Sequence, residues 1–222
     1  MEKFRVGENL EGTIDTIKIV RPIDDILKEE QQKYSRLWSS DYKRSQTALP
    51  WAQFIAKALA KETRKTAVTI LDVGCGDGTT MKYLNDHGFT CLGVDLTLNG
   101  IKDAKEFQIG DTGLSTLFVA PSWKLPFCNN VFDYVISTDV LEHIPQELVA
   151  VSILEMYRVA RRGLFNCVAT WPDKGDHGVD LHLTVKPIDW WRNRFECFKP
   201  ETIETVKIYE RDNFLSKFNN GQ

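Results

Sequence analysis

The sequence predicts an α/β protein: a doubly wound, mostly parallel seven-stranded sheet with a C-terminal antiparallel hairpin, helices on both faces, and a short N-terminal helical segment. Three observations carry this expectation. From residue 67 onward, short apolar runs alternate with amphipathic stretches over about 100 residues, the order of a parallel sheet with crossover helices. The first run, AVTILDV at 67–73, opens directly into the glycine-rich turn Gly74-Cys75-Gly76-Asp77-Gly78. The last two runs, ETVKIYE and NFLSKFN, flank the turn residues ERD, as the strands of a hairpin do.

The elements follow in order. IDDILKEEQQKYSRLW at 23–38 has helical periodicity, and SSDYKRSQT after it reads as a loop. Pro50 suits a first helical turn, so a helix is expected from there through WAQFIAKALAK. The glycine-rich turn leads into TTMKYLNDHG, a helix closed by Gly88. TCLGVDL is the second strand, LNGIKDAKEFQ a surface helix and STLFVA the third strand. VFDYVIS is the fourth, PQELVAVSILEMYRVA a helix with Pro145 in its first turn, and GLFNCVAT the fifth. PIDWWRNRFECF is a later helix whose adjacent Trp190 and Trp191 cannot both face the core. Residues 1–49 are thus expected to form a helical cap and 50–222 the main domain.

Composition narrows the function. The 222 residues carry a formal net charge of −3, so no global positive field gathers DNA or an anionic membrane. No apolar run approaches the ~18 residues of a membrane span, and the charged start MEKFRVGENLEG is unlike a signal peptide. Cys75, Cys91, Cys128, Cys167 and Cys197 are scattered without a C-x-x-C pair, so the expected compartment is the reducing cytoplasm.

The turn points to a nucleoside cofactor. Gly74 and Gly76 let the backbone bend and approach a ligand closely. Asp95, ending the second strand, is placed to accept hydrogen bonds from a ribose diol; a turn or helix-capping role is its structural alternative. Asp72 and Asp77 bracket the glycines and would repel a pyrophosphate, whereas a ligand with ammonium and sulfonium groups is attracted. This argues against a nicotinamide dinucleotide.

The pieces LDVGCGDG, GVDL, SWKLPF, FDYVIS and VLEHIP, in this order over roughly residues 67–170, resemble the class I S-adenosylmethionine (SAM)-dependent methyltransferases. The resemblance implies that Asp72, Gly74, Cys75 and Gly76 surround the methionine part of SAM, with S-adenosylhomocysteine (SAH) as product. It implies Asp95 on the ribose, Leu96 against adenine, and Thr138 with Asp139 beneath the sulfonium. Before LPF the family usually has an acidic residue; here Pro121 stands there, followed by Ser122 and Trp123. Ser122 then supplies a polar contact and Trp123 a stacking surface, or Trp123 is simply a core aromatic.

Transfer to a neutral acceptor requires a base, and the candidates are Asp139, Glu142 and His143, with His177 and His182 in the loop after the fifth strand. A structural role for Glu142 and His143 in the turn before the next helix competes with direct catalysis. Asp139, Glu142 and His143, at i, i+3 and i+4, would share one face of a helical turn, and with His182 would suit a divalent metal. The ubiquinone-pathway and small-RNA methyltransferases look similar here but carry Glu where this chain has Asp139. Tyr34, Trp38, Tyr42 and His177, from the N-terminal segment and the insert after the fifth strand, are the expected acceptor contacts. Their polar surroundings favour a small polar acceptor, a sugar or other hydroxyl compound, with nitrogen as the alternative atom. A protein that only binds SAM or SAH would keep the same cofactor residues. So would an NAD-dependent oxidoreductase keep the fold, though Asp77 argues against it.

Overall fold

The computed structural model describes residues 21–39, 48–60, 68–104, 116–173, 180–198, 200, 202–208 and 211–217. Helix α1 (Ile23–Trp38) begins after Pro22, carries Asp24 and Asp25 in its first turn, where the helix dipole favours them, and buries Ile26 and Leu37. Helix α2 (Ala48–Leu59) starts two residues before Pro50 and buries Trp51, Ala52, Ile55 and Leu59. Pro50 is tolerated because first-turn N–H groups have no intrahelical partner.

Strand β1 (Thr69–Val73) leads through the glycine-rich turn into α3 (Thr79–Asp86). A Schellman motif ends α3: Phe89 N–H donates to Leu84 O and Gly88 N–H to Asn85 O, with Gly88 at φ 86°. Then come β2 (Thr90–Asp95), α4 (Leu98–Ala104) and a short β3 (Leu117–Val119). The expected helical residues 105–108 lie outside the described residues. Strand β4 (Phe132–Thr138) is followed by a 3₁₀ turn (Leu141–His143) and α5 (Gln146–Val159), which Pro145 precedes rather than enters. Strand β5 (Ala160–Cys167), α6 (Ile188–Glu196), β6 (Thr202–Ile208) and β7 (Arg211–Lys217) complete the described elements.

The strand order is β3-β2-β1-β4-β5-β7-β6. The first five are mutually parallel; β7 runs antiparallel to both β5 and β6. Alternation along the strands sorts the core onto the sheet's two faces. Leu71, Val73, Val94, Val135 and Leu164 pack with Ile26 of α1, with α5, and with Trp191 and Phe195 of α6. Ile70, Cys91, Tyr134, Ile136 and Phe165 pack with α2 and α3. Ile26 is fully buried in the first cluster, so α1 is anchored in the main core and is not an appended arm.

Connections run in opposite directions from β1 and β4, the topology in which ligands bind beyond the carboxyl ends of such neighbours. The glycine-rich turn, the end of β2 and the end of β4 all lie at these carboxyl ends.

Candidate functional site

The glycine-rich turn is stitched to the end of β2. Gly74 N–H and Cys75 N–H both donate to Val94 O, at 2.7 and 3.1 Å. Gly74, Gly76 and Gly78 all have positive φ, at 79°, 48° and 76°. A Cβ on Gly74 would run into the Val140 side chain, so this glycine is required by the approach of the segment after β4. Asp77 Oδ1 accepts from Thr79 N–H at 3.1 Å and so occupies the N-terminus of α3, where a phosphate would otherwise bind.

Two carboxylates lie behind the turn. Asp72 is buried on β1, and its pKa is pushed up to about 8 by burial first and then by Asp95 and Asp77. Asp95 ends β2; its Oδ2 accepts from Gly76 N–H and its Oδ1 from Thr97 N–H, both at 3.1 Å. Burial raises its pKa, and these backbone donors partly offset the rise. Buried carboxylates with raised pKa values form an electron-rich hole in which a cationic ligand gains and a phosphate loses. Cys75 is buried beside them, and burial with the charges of Asp72 and Asp95 pushes its thiol up, so it is an unreactive wall residue.

Leu96 follows Asp95 and packs half-buried against the first core cluster, while its carbonyl accepts from Gln31 Nε2 of α1 at 3.3 Å. The segment holding Ser122 and Trp123 is pinned to α5: Arg158 donates to the carbonyls of Leu125 and Phe127, and Leu125 N–H donates to Glu155. Ser122 Oγ lies 3.0 Å from Ser152 Oγ, whose own hydrogen goes to Leu148 O, so Ser122 donates inward to α5. Trp123, 5% exposed, sits within the first core cluster. Its place there favours the core-aromatic alternative over a base-stacking surface, because ring area already buried against side chains is not offered to a ligand.

Thr138 closes β4 half-buried, and Asp139 next to it adopts φ 54°, a left-handed conformation that Asp tolerates better than most residues. Asp139 N–H donates to Cys167 O, tying the turn to β5. This corrects one expectation. A single α-helical turn would have grouped Asp139 with Glu142 and His143, but the turn is 3₁₀, covers only Leu141–His143, and follows a left-handed residue. The group that converges is Glu142, His143 and His182, whose ligand atoms all lie within 4.8 Å of one another.

Each member of that group is held. Glu142 is fully buried; its Oε1 accepts from Ala169 N–H at 2.8 Å and its carbonyl from Thr184 N–H at 2.9 Å. It therefore organises the turns after β4 and β5, as its structural alternative required. His182 Nδ1 lies 2.6 Å from Trp171 O. A carbonyl only accepts, so Nδ1 carries the hydrogen and Nε2 the lone pair. The His143 and His182 rings meet edge-on with centroids 4.7 Å apart. His143 keeps some exposed surface, but its Nδ1 is shut off from solvent without a hydrogen-bond partner. Burial, and then the neighbouring His182, lower its pKa to about 4. It is neutral at physiological pH.

Helix α1 roofs these groups. Tyr34 lies edge-on to His143 with ring centroids 6.1 Å apart. Trp38 lies over the glycine-rich turn: its Cη2 is 3.1 Å from where a Gly76 Cβ would stand. Tyr34 is thus beside His143, whereas Trp38 is beside the glycine-rich turn. Tyr42 and His177 lie outside the described residues. The sequence reading missed Gln31, Glu30 and Lys33. Glu30 and Lys33 form an ion pair at 2.5 Å on the inner side of α1, and Lys33 is among the charges that depress His143. Only the i, i+3 spacing of opposite charges hinted at that pair, and nothing in it indicated burial.

Residues 71–165 match the family described as a methyltransferase domain. A 2-methyl-6-phytyl-1,4-hydroquinone methyltransferase from Synechocystis sp. is 30% identical over 144 residues, covering 64% of this chain and 44% of that protein. A probable chloroplastic tocopherol O-methyltransferase from Oryza sativa subsp. japonica is 27% identical over 181 residues, covering 76% and 42%. The chain spans less than half the length of these two curated relatives. Among solved structures, the magnesium protoporphyrin IX methyltransferase of Synechocystis PCC 6803 with bound SAM aligns with a TM-score of 0.63 at 15% identity. That alignment covers 91% of this chain and all of that one.

Proposed function

We propose that the protein, whose residues 71–165 match a methyltransferase domain, binds SAM beyond the carboxyl ends of β1, β2 and β4 and transfers its methyl group to a small acceptor under α1. The observation that carries this reading is the pair Asp72 and Asp95 behind the glycine-rich turn, with Asp72 pushed up to about 8 in the absence of a counter-charge. A cation bound there would favour the ionised carboxylate and so oppose the shift that burial, Asp95 and Asp77 produce. SAM supplies that cation, and Asp95 would exchange its backbone donors for a ribose diol.

In the reaction the S–CH₃ bond breaks, an acceptor O–CH₃ bond forms, and SAH leaves. The acceptor proton goes to a base. Positioning supplies most of the rate, because the methyl carbon is already activated. His182 is the stronger base candidate: its Nε2 lone pair is fixed by the Trp171 carbonyl. His143, with a pKa near 4, is a poor proton acceptor and serves better as a neutral wall. Trp171 and Leu183, 38% and 41% exposed, flank His182 and offer an apolar rim. That rim, together with relatives named for hydroquinone and tocopherol substrates, favours an aromatic hydroxyl as acceptor over a sugar. Incubation with methyl-labelled SAM and pooled phenolic, sugar and amine acceptors tests this. Label in an amine or in a sugar would overturn the acceptor class, and SAH binding without turnover on any pool would favour a SAM-sensing role.

A second reading has its own observation. Glu142, His143 and His182 bring a carboxylate and two imidazoles within 4.8 Å, a donor set that suits a divalent ion. Such an ion would lower the pKa of a bound acceptor hydroxyl. Loss of activity with chelator and recovery with magnesium, manganese or zinc would favour it over His182 acting alone.

A further inference from the structure

We infer that Trp38 is a residue of the cofactor site, whose indole covers the nucleoside of bound SAM; this rests on the reading that the protein binds SAM beyond β1, β2 and β4. The indole bridges two glycines on different elements. Its Cη2 and Cζ2 lie 3.1 and 3.2 Å from the position of a Cβ on Gly76. Its Nε1 lies 3.1 Å from the position of a Cβ on Gly100 in α4. Asp95 Oδ1 is 2.7 Å from that same point, so the carboxylate expected on the ribose lies at one end of the ring. The missing side chains at Gly76 and Gly100 leave a slot in which the indole lies, with Asp95 Oδ1 beside its Gly100 end.

The ring is carried by a firm support. Helix α1 is tied to the cofactor side through Gln31 Nε2 to Leu96 O and through Asn99 Nδ2, which donates to Ser35 O at 3.1 Å and to Ser39 Oγ at 3.0 Å. Ile26 and Leu37 anchor it in the core. These ties join α1 to the loop and helix after β2, the same segment that presents Asp95. A nucleoside bound between the indole and the glycines would displace the ring by about its own thickness and lie beneath it. Gly100 acquires a reason: any side chain there would fill the slot and meet Asp95.

The test uses SAH with the full chain and three readouts. Isothermal calorimetry of Trp38→Ala should show SAH binding weakened by about 10- to 100-fold, as expected for loss of an aromatic surface stacked on a base. Trp38→Phe, which keeps a ring, should stay within about 3-fold of the native protein. SAH should change the tryptophan emission of the native protein, and most of that change should vanish in Trp38→Phe. Native affinity in Trp38→Ala with a lowered melting temperature would make Trp38 a packing residue and overturn the proposal. Tighter binding in Trp38→Ala would make the indole an obstruction and also overturn it. If Trp38→Ala does not fold, a full-sized emission change in Trp38→Phe serves as the contrary result. Failure of the native protein to bind SAM or SAH would remove the cofactor reading itself, and is distinguishable from all of these.

Discussion

Asp72 is the residue whose environment has the largest measurable consequence. Its folded pKa of about 8 lies above the ordinary carboxyl value of 3.8, so the folded protein holds a proton that the unfolded chain has released. Folding stability attributable to this group is therefore undiminished below about pH 4, falls as pH rises, and is fully lost above about 8. Asp72→Asn should flatten that fall: melting temperatures of the variant, without SAM, should exceed the native values increasingly from pH 5 to 8. Binding of a cation ionises Asp72, so SAM association near pH 7 should release a proton. Calorimetry in buffers of different ionisation enthalpy reads this directly, and identical heats in all buffers would place the cation elsewhere. Asp95 acts through hydrogen bonds instead, and Asp95→Ala should weaken SAH by roughly 1.5–3 kcal/mol. For His143 the sign is opposite: its pKa falls from 6.5 to about 4, so any rise in rate near neutrality is not its titration. A His143→Gln variant should keep the neutral limb of the pH–rate profile, and a His182→Gln variant should lose turnover while keeping SAH affinity.

At the scale of elements, the sequence showed where α1, α3, β1 and β2 lie because their signals are local: periodic apolar residues, a glycine after the helix, an acidic residue at a strand end. Local signals did not show how the turn after β4 folds. The i, i+3, i+4 spacing of Asp139, Glu142 and His143 reads as a helical face, but Asp139 sits at φ 54° before a 3₁₀ turn that covers only Leu141–His143. Backbone handedness at an aspartate carries no sequence mark of its own. Trp38 and Tyr34 were likewise legible as aromatics that a solvated arm would not carry, but their division between the cofactor turn and His143 arises from contacts across the chain. Two predictions belong here. Residues 26–38 should gain hydrogen-exchange protection when SAH binds, because α1 carries Trp38 over the glycine-rich turn; equal exchange in both states would reduce α1 to packing. Gly74→Val should disturb SAH binding and folding together. Its side chain meets Val140, and its φ of 79° disfavours a branched residue.

For the molecule as a whole, alternation of strand residues between two helix layers determines which side chains bear the load. The adjacent tryptophans of α6 give the sharpest contrast, because the sequence required only one of them to face the core. Trp191 is fully buried in the cluster formed by β1, β4, β5, α1 and α5, where its removal leaves a cavity that the sheet cannot close. Trp190 is half-buried at the margin of the same cluster, with the Arg194 guanidinium 3.3 Å from its ring centroid. Trp191→Ala should therefore cost ~3–5 kcal/mol. Trp190→Ala should cost less, because its half-buried ring loses a cation–π contact of ~0.5–1 kcal/mol and only part of its packing on the cluster. In a chain of this size each kilocalorie shifts the melting temperature by about 2–4 °C, so the two variants should separate by several degrees or more. Because α6 packs far from the glycine-rich turn in sequence and shares only the core with it, Trp191→Ala should lower SAH affinity mainly through its unfolded fraction. Measured well below the variant's melting temperature, SAH binding should match the native protein. Equal melting temperatures for the two variants would show that α6 does not pack on this face, and the assignment of the core to two layers would fail with it.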